Sequence, residues 1–225
     1  MAAPIDALFA GNFAILGSRV PLRPGTWRLL ADIRKFDTAT SSARSFLGRI
    51  EDGRLQEAIR ILSVANTSEK AETYGRLRFF ENELYRVVEE DQENGTQSVW
   101  VIKNAITWPW SCFRDRTTGI SDLEMLVAER LFQGRINFPR EFLLVQFTRR
   151  EQSKALEVTY YLNPQSAGVP LTRRHLQTWQ ESDFAPKHIR AHPEKFAFFR
   201  GNVEWGEMWW PKIKSSFLDF YPEGF

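Results

Sequence analysis

Residues 141–162, "EFLLVQFTRREQSKALEVTYYL", hold two apolar stretches separated by a short charged segment. In the second stretch Leu156, Val158, Tyr160 and Leu162 alternate with Glu157, Thr159 and Tyr161. That alternation is the period of a strand, because successive side chains point to opposite faces of a sheet. "EFLLVQFT" and "ALEVTYYL" therefore read as a hairpin that turns through "RREQSK".

Working outward toward the start, "TWRLLADI" alternates as well, which places Trp27, Leu29, Ala31 and Ile33 on one face. The preceding "VPLRPG" carries two prolines and a glycine and reads as a stiff turn into that strand. "LQEAIRILSV", "LRFFENELYRVV" and "SVWVIKNAI" add further segments rich in branched and aromatic residues. "DTATSSARS" and "EEDQENGTQ" read as exposed polar linkers.

A helix is predicted next. Ser121 and Glu124 match a capping box, Ile120 and Met125 a hydrophobic staple, and Gly134 marks the exit. From "NPQSAG" onward the pattern turns helical until near the end. Strands, helix, hairpin and then helices predict an α+β fold. The expected architecture is an antiparallel sheet with a capped central helix and C-terminal helices packed on one face. One domain is expected over 1–225: strand-rich at 10–105, a helix at 121–134, the hairpin at 141–162 and a helical part at 172–217.

With 30 basic and 28 acidic residues the net charge is +2. That lacks the one-sided positive field needed to neutralise phosphates, so no nucleic acid is expected as a partner. The pairs Arg149-Arg150 and Arg173-Arg174 read as solvated turn and helix-start residues. Cys112 stands alone, which excludes an intramolecular disulfide. No apolar run approaches the roughly 18 residues of a spanning helix, so no membrane insertion is expected. The start, "MAAPIDALF", has no basic n-region and no apolar h-region. It equally fits a mature N-terminus, so the expected location is periplasmic or exported if a signal peptide was trimmed, and otherwise cytoplasmic.

"VEWGEMWWPKIKSSF", residues 203–217, concentrates three of the eight tryptophans, Trp205, Trp209 and Trp210. On a helix over 196–210 they share a wide arc with Phe196, Phe198, Phe199 and Val203, opposite Arg200, Glu204 and Glu207. Asn202 and Gly206 sit inside that arc, where small side chains permit close packing. His192 followed by Pro193 suits a helix start, and Pro211 is expected to kink or end the helix. The arc reads as a wall of the core with an exposed rim at Trp205 or Trp209.

For chemistry, His188 and His192 in "HIRAH" are four apart, a spacing found in metal sites, but no H-E-x-x-H pattern or cysteine partner completes it. Cys112 in "WPWSCFRDR" is a thiolate candidate if Arg114 or Arg116 lowers its pKa, and His175 is the one histidine outside the HIRAH pair. Flanking Trp110 and Phe113 favour a buried small hydrophobe instead. Glu204 and Glu207 read as a solvated face, and Glu181 and Asp183 in "WQESDF" as capping groups. No nucleophile-elbow, Walker or dinucleotide pattern occurs, so no cofactor is expected.

Four stretches, "VPLRPGTW" (20–27), "YLNPQSAGVP" (161–170), "WQESDF" (179–184) and "WGEMWWPKIKSSF" (205–217), resemble an uncharacterised class of exported bacterial domains. The resemblance implies an envelope or periplasmic location and no established activity, and it carries over no functional residue.

The reading favoured by the sequence is a non-enzymatic domain that binds a small ligand or a protein partner. Its face would combine Trp108, Trp110, Trp179 and the Trp205 and Trp209 rim. The alternatives are a small hydrolase using Cys112 or a His188/His192 metal site, and a structural subunit of an assembly.

Overall fold

The computed structural model describes residues 3–36, 40–66, 81–91, 95–106, 122–151, 154–173 and 176–218. The strands are β1 (Leu8–Phe9), β2 (Asn12–Ile15), β3 (Ser18–Pro21), β4 (Trp27–Phe36), β5 (Thr40–Glu51), β6 (Arg54–Asn66), β7 (Glu83–Asp91), β8 (Thr96–Ile106), β9 (Glu141–Arg150) and β10 (Lys154–Leu162). Helix α1 spans Asp122–Gln133 and α2 spans Pro193–Leu218. Eight strands form one antiparallel sheet in the order β1-β4-β5-β6-β10-β9-β8-β7, and β2 pairs with β3 separately. The fold is α+β. No helix among the described residues is long and apolar enough to cross a membrane.

The β9–β10 hairpin stands near the middle of this sheet, with Tyr160 opposite Val145 on β9 and Ile59 on β6. Its alternation sorts the residues between two cores. Leu156, Val158, Tyr160 and Leu162 join the larger core with Trp100, Phe147, Trp209 and Trp210. Tyr161 packs on the smaller core, on the opposite face, with Phe46, Phe142 and Leu144. The turn between β5 and β6 is Asp52-Gly53, both at positive φ (50° and 68°), the two-residue geometry whose twist matches that of the flanking strands.

Strand β4 departs from the expected alternation. The register slips by one residue between Leu29 and Ala31, so Leu30 is a β-bulge. Trp27 and Leu29 enter the larger core, whereas Leu30, Ala31 and Ile33 belong to the smaller one. One extra residue has moved the second half of the stripe to the other face.

Two expected linkers are strand instead. Within "DTATSSARS", residues from Thr40 onward open β5, an interior strand, where Ala43 and Ser45 are fully buried. The Ser45 hydroxyl donates to Asp32 Oδ1, which satisfies it inside the sheet. Within "EEDQENGTQ", Glu89–Asp91 finish β7 and Thr96 opens β8. Arg149 and Arg150, expected in a turn, end β9.

Helix α1 lies against β4 and β5. Its expected cap, Ser121, and Ile120 of the staple fall outside the described residues. Its last residue is Gln133 with Gly134 directly after it, and Arg135 (φ 52°) takes the left-handed conformation. Arg135 N–H donates to Phe132 O and Ile136 N–H to Leu131 O, the paired bonds of a Schellman ending.

The expected helical part before residue 193 consists of short 3-10 turns at Pro164–Ala167, Trp179–Glu181 and Ile189–Ala191. Helix α2 then starts at Pro193 and does not end at Pro211. A proline inside a helix costs on the order of 3 kcal/mol. What holds the turns beyond it is side-chain anchorage: Ile213 is buried, Lys214 reaches Glu89, and Ser216 Oγ donates back to Lys212 O. Earlier in the helix, Gly206 rests on Trp100 so closely that a Cβ would stand 2.5 Å from the ring.

Candidate functional site

The last turns of α2, β7, β8 and β9 enclose a groove of about 500 Å³. Register brings its floor together: Glu89 of β7 lies opposite Ser98 of β8, which lies opposite Arg149 of β9. Helix α2 contributes Lys214, one turn beyond Trp210, so both side chains fall on the same face.

The charges are held in place before any ligand arrives. Glu89 accepts from Trp210 Nε1 at 3.0 Å and from Lys214 Nζ at 2.8 Å. Lys214 Nζ also lies 5.2 Å from the centre of the Trp210 ring. Arg149 donates to Glu151 at 3.2 Å, and Gln97 to Glu90 at 2.6 Å. Partial burial pushes the Glu89 carboxyl up. The bonds from Lys214 and Trp210 and the nearby Arg149 outweigh it and hold the group below the usual carboxylate range. The described lining has carboxylates, hydroxyls and two cations, but no histidine or cysteine. Such a wall can orient hydroxyls and charged groups of a ligand.

The residues singled out by sequence lie elsewhere. Trp108, Trp110, Cys112 and His175 fall outside the described residues. Trp209 is 9% exposed and donates from Nε1 to the Tyr160 hydroxyl at 2.8 Å; that hydroxyl donates on to Pro21 O at 2.7 Å. Burial in this apolar setting pushes the Tyr160 pKa far above its usual 10. Trp205, half-buried, packs edge-on against Tyr160 and Phe147, with the Arg23 guanidinium 4.6 Å above its ring. Trp205 and Trp209 are neighbours, with ring centres 5.4 Å apart. Trp179, also half-buried, opens a 3-10 turn and its carbonyl accepts from Asn104.

The two histidines flank the turn Ile189–Ala191. His192 Nε2 stands 3.4 Å from Asp183 Oδ1, and buried Lys195 donates to the other oxygen of the same carboxylate at 2.7 Å. Asp183 thus ties a turn to the start of α2. Among the described residues no group of three or more His, Cys, Asp or Glu converges to hold a metal ion.

Sequence reasoning passed over the groove because its residues come from separate segments. A signal was present: the acidic run 89–91 ends a strand-period segment, and Trp210 and Lys214 stand four apart. No family model, no curated protein and no solved structure matches this chain.

Proposed function

We propose that the chain is a non-enzymatic domain that binds a small polar ligand in the groove between the end of α2 and strands β7–β9. The observation that carries this reading is a concavity of about 500 Å³ whose Glu89, Arg149 and Lys214 side chains already make charge-assisted bonds. That volume falls within the range of small-molecule sites, and side chains fixed beforehand lose little entropy on binding. The mixed walls suit a ligand with several hydroxyls or with both a cationic and an anionic group. The resemblance to exported bacterial domains adds the cell envelope as the compartment of this reading.

A calorimetric screen of sugars, amino acids and polyamines tests it. A saturable binder is expected, weakened about tenfold or more by Glu89→Gln, the loss associated with a charged hydrogen bond. A binder equally tight to the Glu89→Gln and Arg149→Met variants overturns the assignment. The hydrolase alternative has its own test: rapid labelling of Cys112 at neutral pH in the folded protein would support it, and labelling only after unfolding would end it.

A further inference from the structure

The groove borders one edge of the sheet. In the strand order β7 stands last, and among the described residues its one ladder neighbour is β8. Its second half, Val88 to Asp91, is exposed. Glu89, Glu90 and Asp91 of that half are also wall of the groove, beside Thr96 and Ser98 of β8 and Glu151. A molecule seated in the groove therefore lies alongside the outer backbone of an edge strand, the row of amides and carbonyls onto which an extended segment can add.

Charge selects the kind of segment. Strand β7 carries the carboxylates Glu83, Glu89, Glu90 and Asp91 against the single guanidinium of Arg86. The groove wall sets Glu89, Glu90, Asp91 and Glu151 against Arg149 and Lys214, an excess of negative charge. Both cations are already bonded within the wall, Lys214 to Glu89 and Arg149 to Glu151. A second copy of β7 is a poor match: antiparallel pairing about Val87 sets Glu83 opposite Asp91, and like charges facing each other destabilise a ladder. A basic strand reverses that sign. Its side chains alternate between faces, so every second one shares the α2 face with Glu89 and Asp91 and meets carboxylates across the ladder.

We infer that the polar ligand of the groove is a lysine or arginine side chain, carried on an extended segment of a partner protein that adds to the outer edge of β7. The inference rests on the groove being a binding site and names what fills it. Main-chain hydrogen bonds to β7 supply the affinity, and basic side chains at alternate positions supply the selectivity. The acidic wall also draws such a segment in from a distance, an attraction that salt screens.

The test titrates the full chain, by calorimetry, with acetyl-Lys-Thr-Lys-Thr-Lys-Thr-amide, its counterpart with glutamate for lysine, the lysine peptide fully N-methylated along its backbone, and cadaverine. Hydrogen exchange is read on β7. The lysine peptide is expected to bind saturably, about tenfold or more tighter than the other three, and to slow exchange at the amides of Val88 to Asp91. Glu90→Gln combined with Asp91→Asn, both at exposed positions, should weaken it about threefold to tenfold through the lost cross-strand charge pairs. Higher ionic strength should weaken it as well. The inference is overturned if the lysine peptide shows no saturable binding, if the methylated or the glutamate peptide binds as tightly, or if exchange in β7 is unchanged on binding. Cadaverine binding that needs Glu89 while no peptide binds overturns the strand addition alone and leaves the groove reading standing. Peptide binding unchanged by both Glu89→Gln and Arg149→Met overturns the groove reading and this inference with it.

Discussion

The two faces of the central sheet are built on opposite plans. Under α2, strands β8, β9 and β10 present Trp100, Phe147 and Tyr160, and the helix adds Trp205, Trp209 and Trp210. Rings lie against rings: Phe147 stacks on Trp100 at 5.9 Å and on Trp210 at 5.7 Å. On the other face the same three strands carry Lys103, Gln146, Thr148, Glu157 and Thr159. A single set of strands thus supplies a ring-rich core on one side and, on the other, a smaller apolar core around Phe142, Leu144 and Tyr161 beside directional hydrogen bonds such as Lys103 to Gln146. The aromatic side should govern stability, and the polar side should be free to specialise, because satisfied polar networks add little net stability compared with apolar burial.

The sharpest way to break that comparison is to cut both sides of one strand. Trp100→Ala should cost about 3–5 kcal/mol in denaturant unfolding. Val101→Ala, its neighbour on the other face, should cost about 1–2 kcal/mol. Equal losses would mean that the faces are not energetically distinct. Next in size is Gly206→Ala. The added methyl meets the Trp100 ring, and helix or ring must shift at a cost of about 1–3 kcal/mol, despite the higher helix propensity of alanine. Tyr160→Phe should then lose about 1–2 kcal/mol, because Trp209 Nε1 and Pro21 O are left without their buried partner.

The polar face predicts a pH effect. Between about 8 and 10 the unfolded chain keeps the Lys103 proton while the folded chain gives it up, so this group adds stability as pH rises. Relative to Lys103→Met, the parent should therefore gain stability across that window; a flat difference would show that the amine is well solvated. Above pH 10 the buried Tyr160 works in the opposite direction, since only the unfolded chain ionises it readily. The smallest effect belongs to α1, which packs on the smaller core: Arg135→Gly should stabilise by up to about 1 kcal/mol, because glycine holds a left-handed exit without strain.

Much of this plan was legible where side-chain period and local chemistry agree. The β9–β10 alternation divides its residues correctly between the two faces, and the small Gly206 within an aromatic arc marks where α2 meets Trp100. Asp52-Gly53 is a strong hairpin signal that the sequence reading missed. Long-range partners decided the remainder. Nothing local announces the bulge at Leu30, and Ser41 and Ser45 look like linker until Asp32 and the neighbouring strands satisfy them. Pro211 stays helical because the turns after it are anchored from outside the helix. The candidate site eluded the sequence for the same reason. Glu89, Arg149 and Lys214 meet only once β7 to β9 are in register and α2 has packed beside them.

The Tyr160 hydroxyl links Pro21 near the start of the chain to Trp209 near its end. During synthesis on the ribosome, the strands emerge long before the segment that covers their ring-bearing side. Until about residue 210 has left the exit tunnel, a nascent chain carries a broad greasy sheet surface with nothing to shield it, and such surfaces recruit chaperones or clump. Slowing translation just upstream of α2 should accordingly lower the yield of soluble product more than slowing it within β2 and β3.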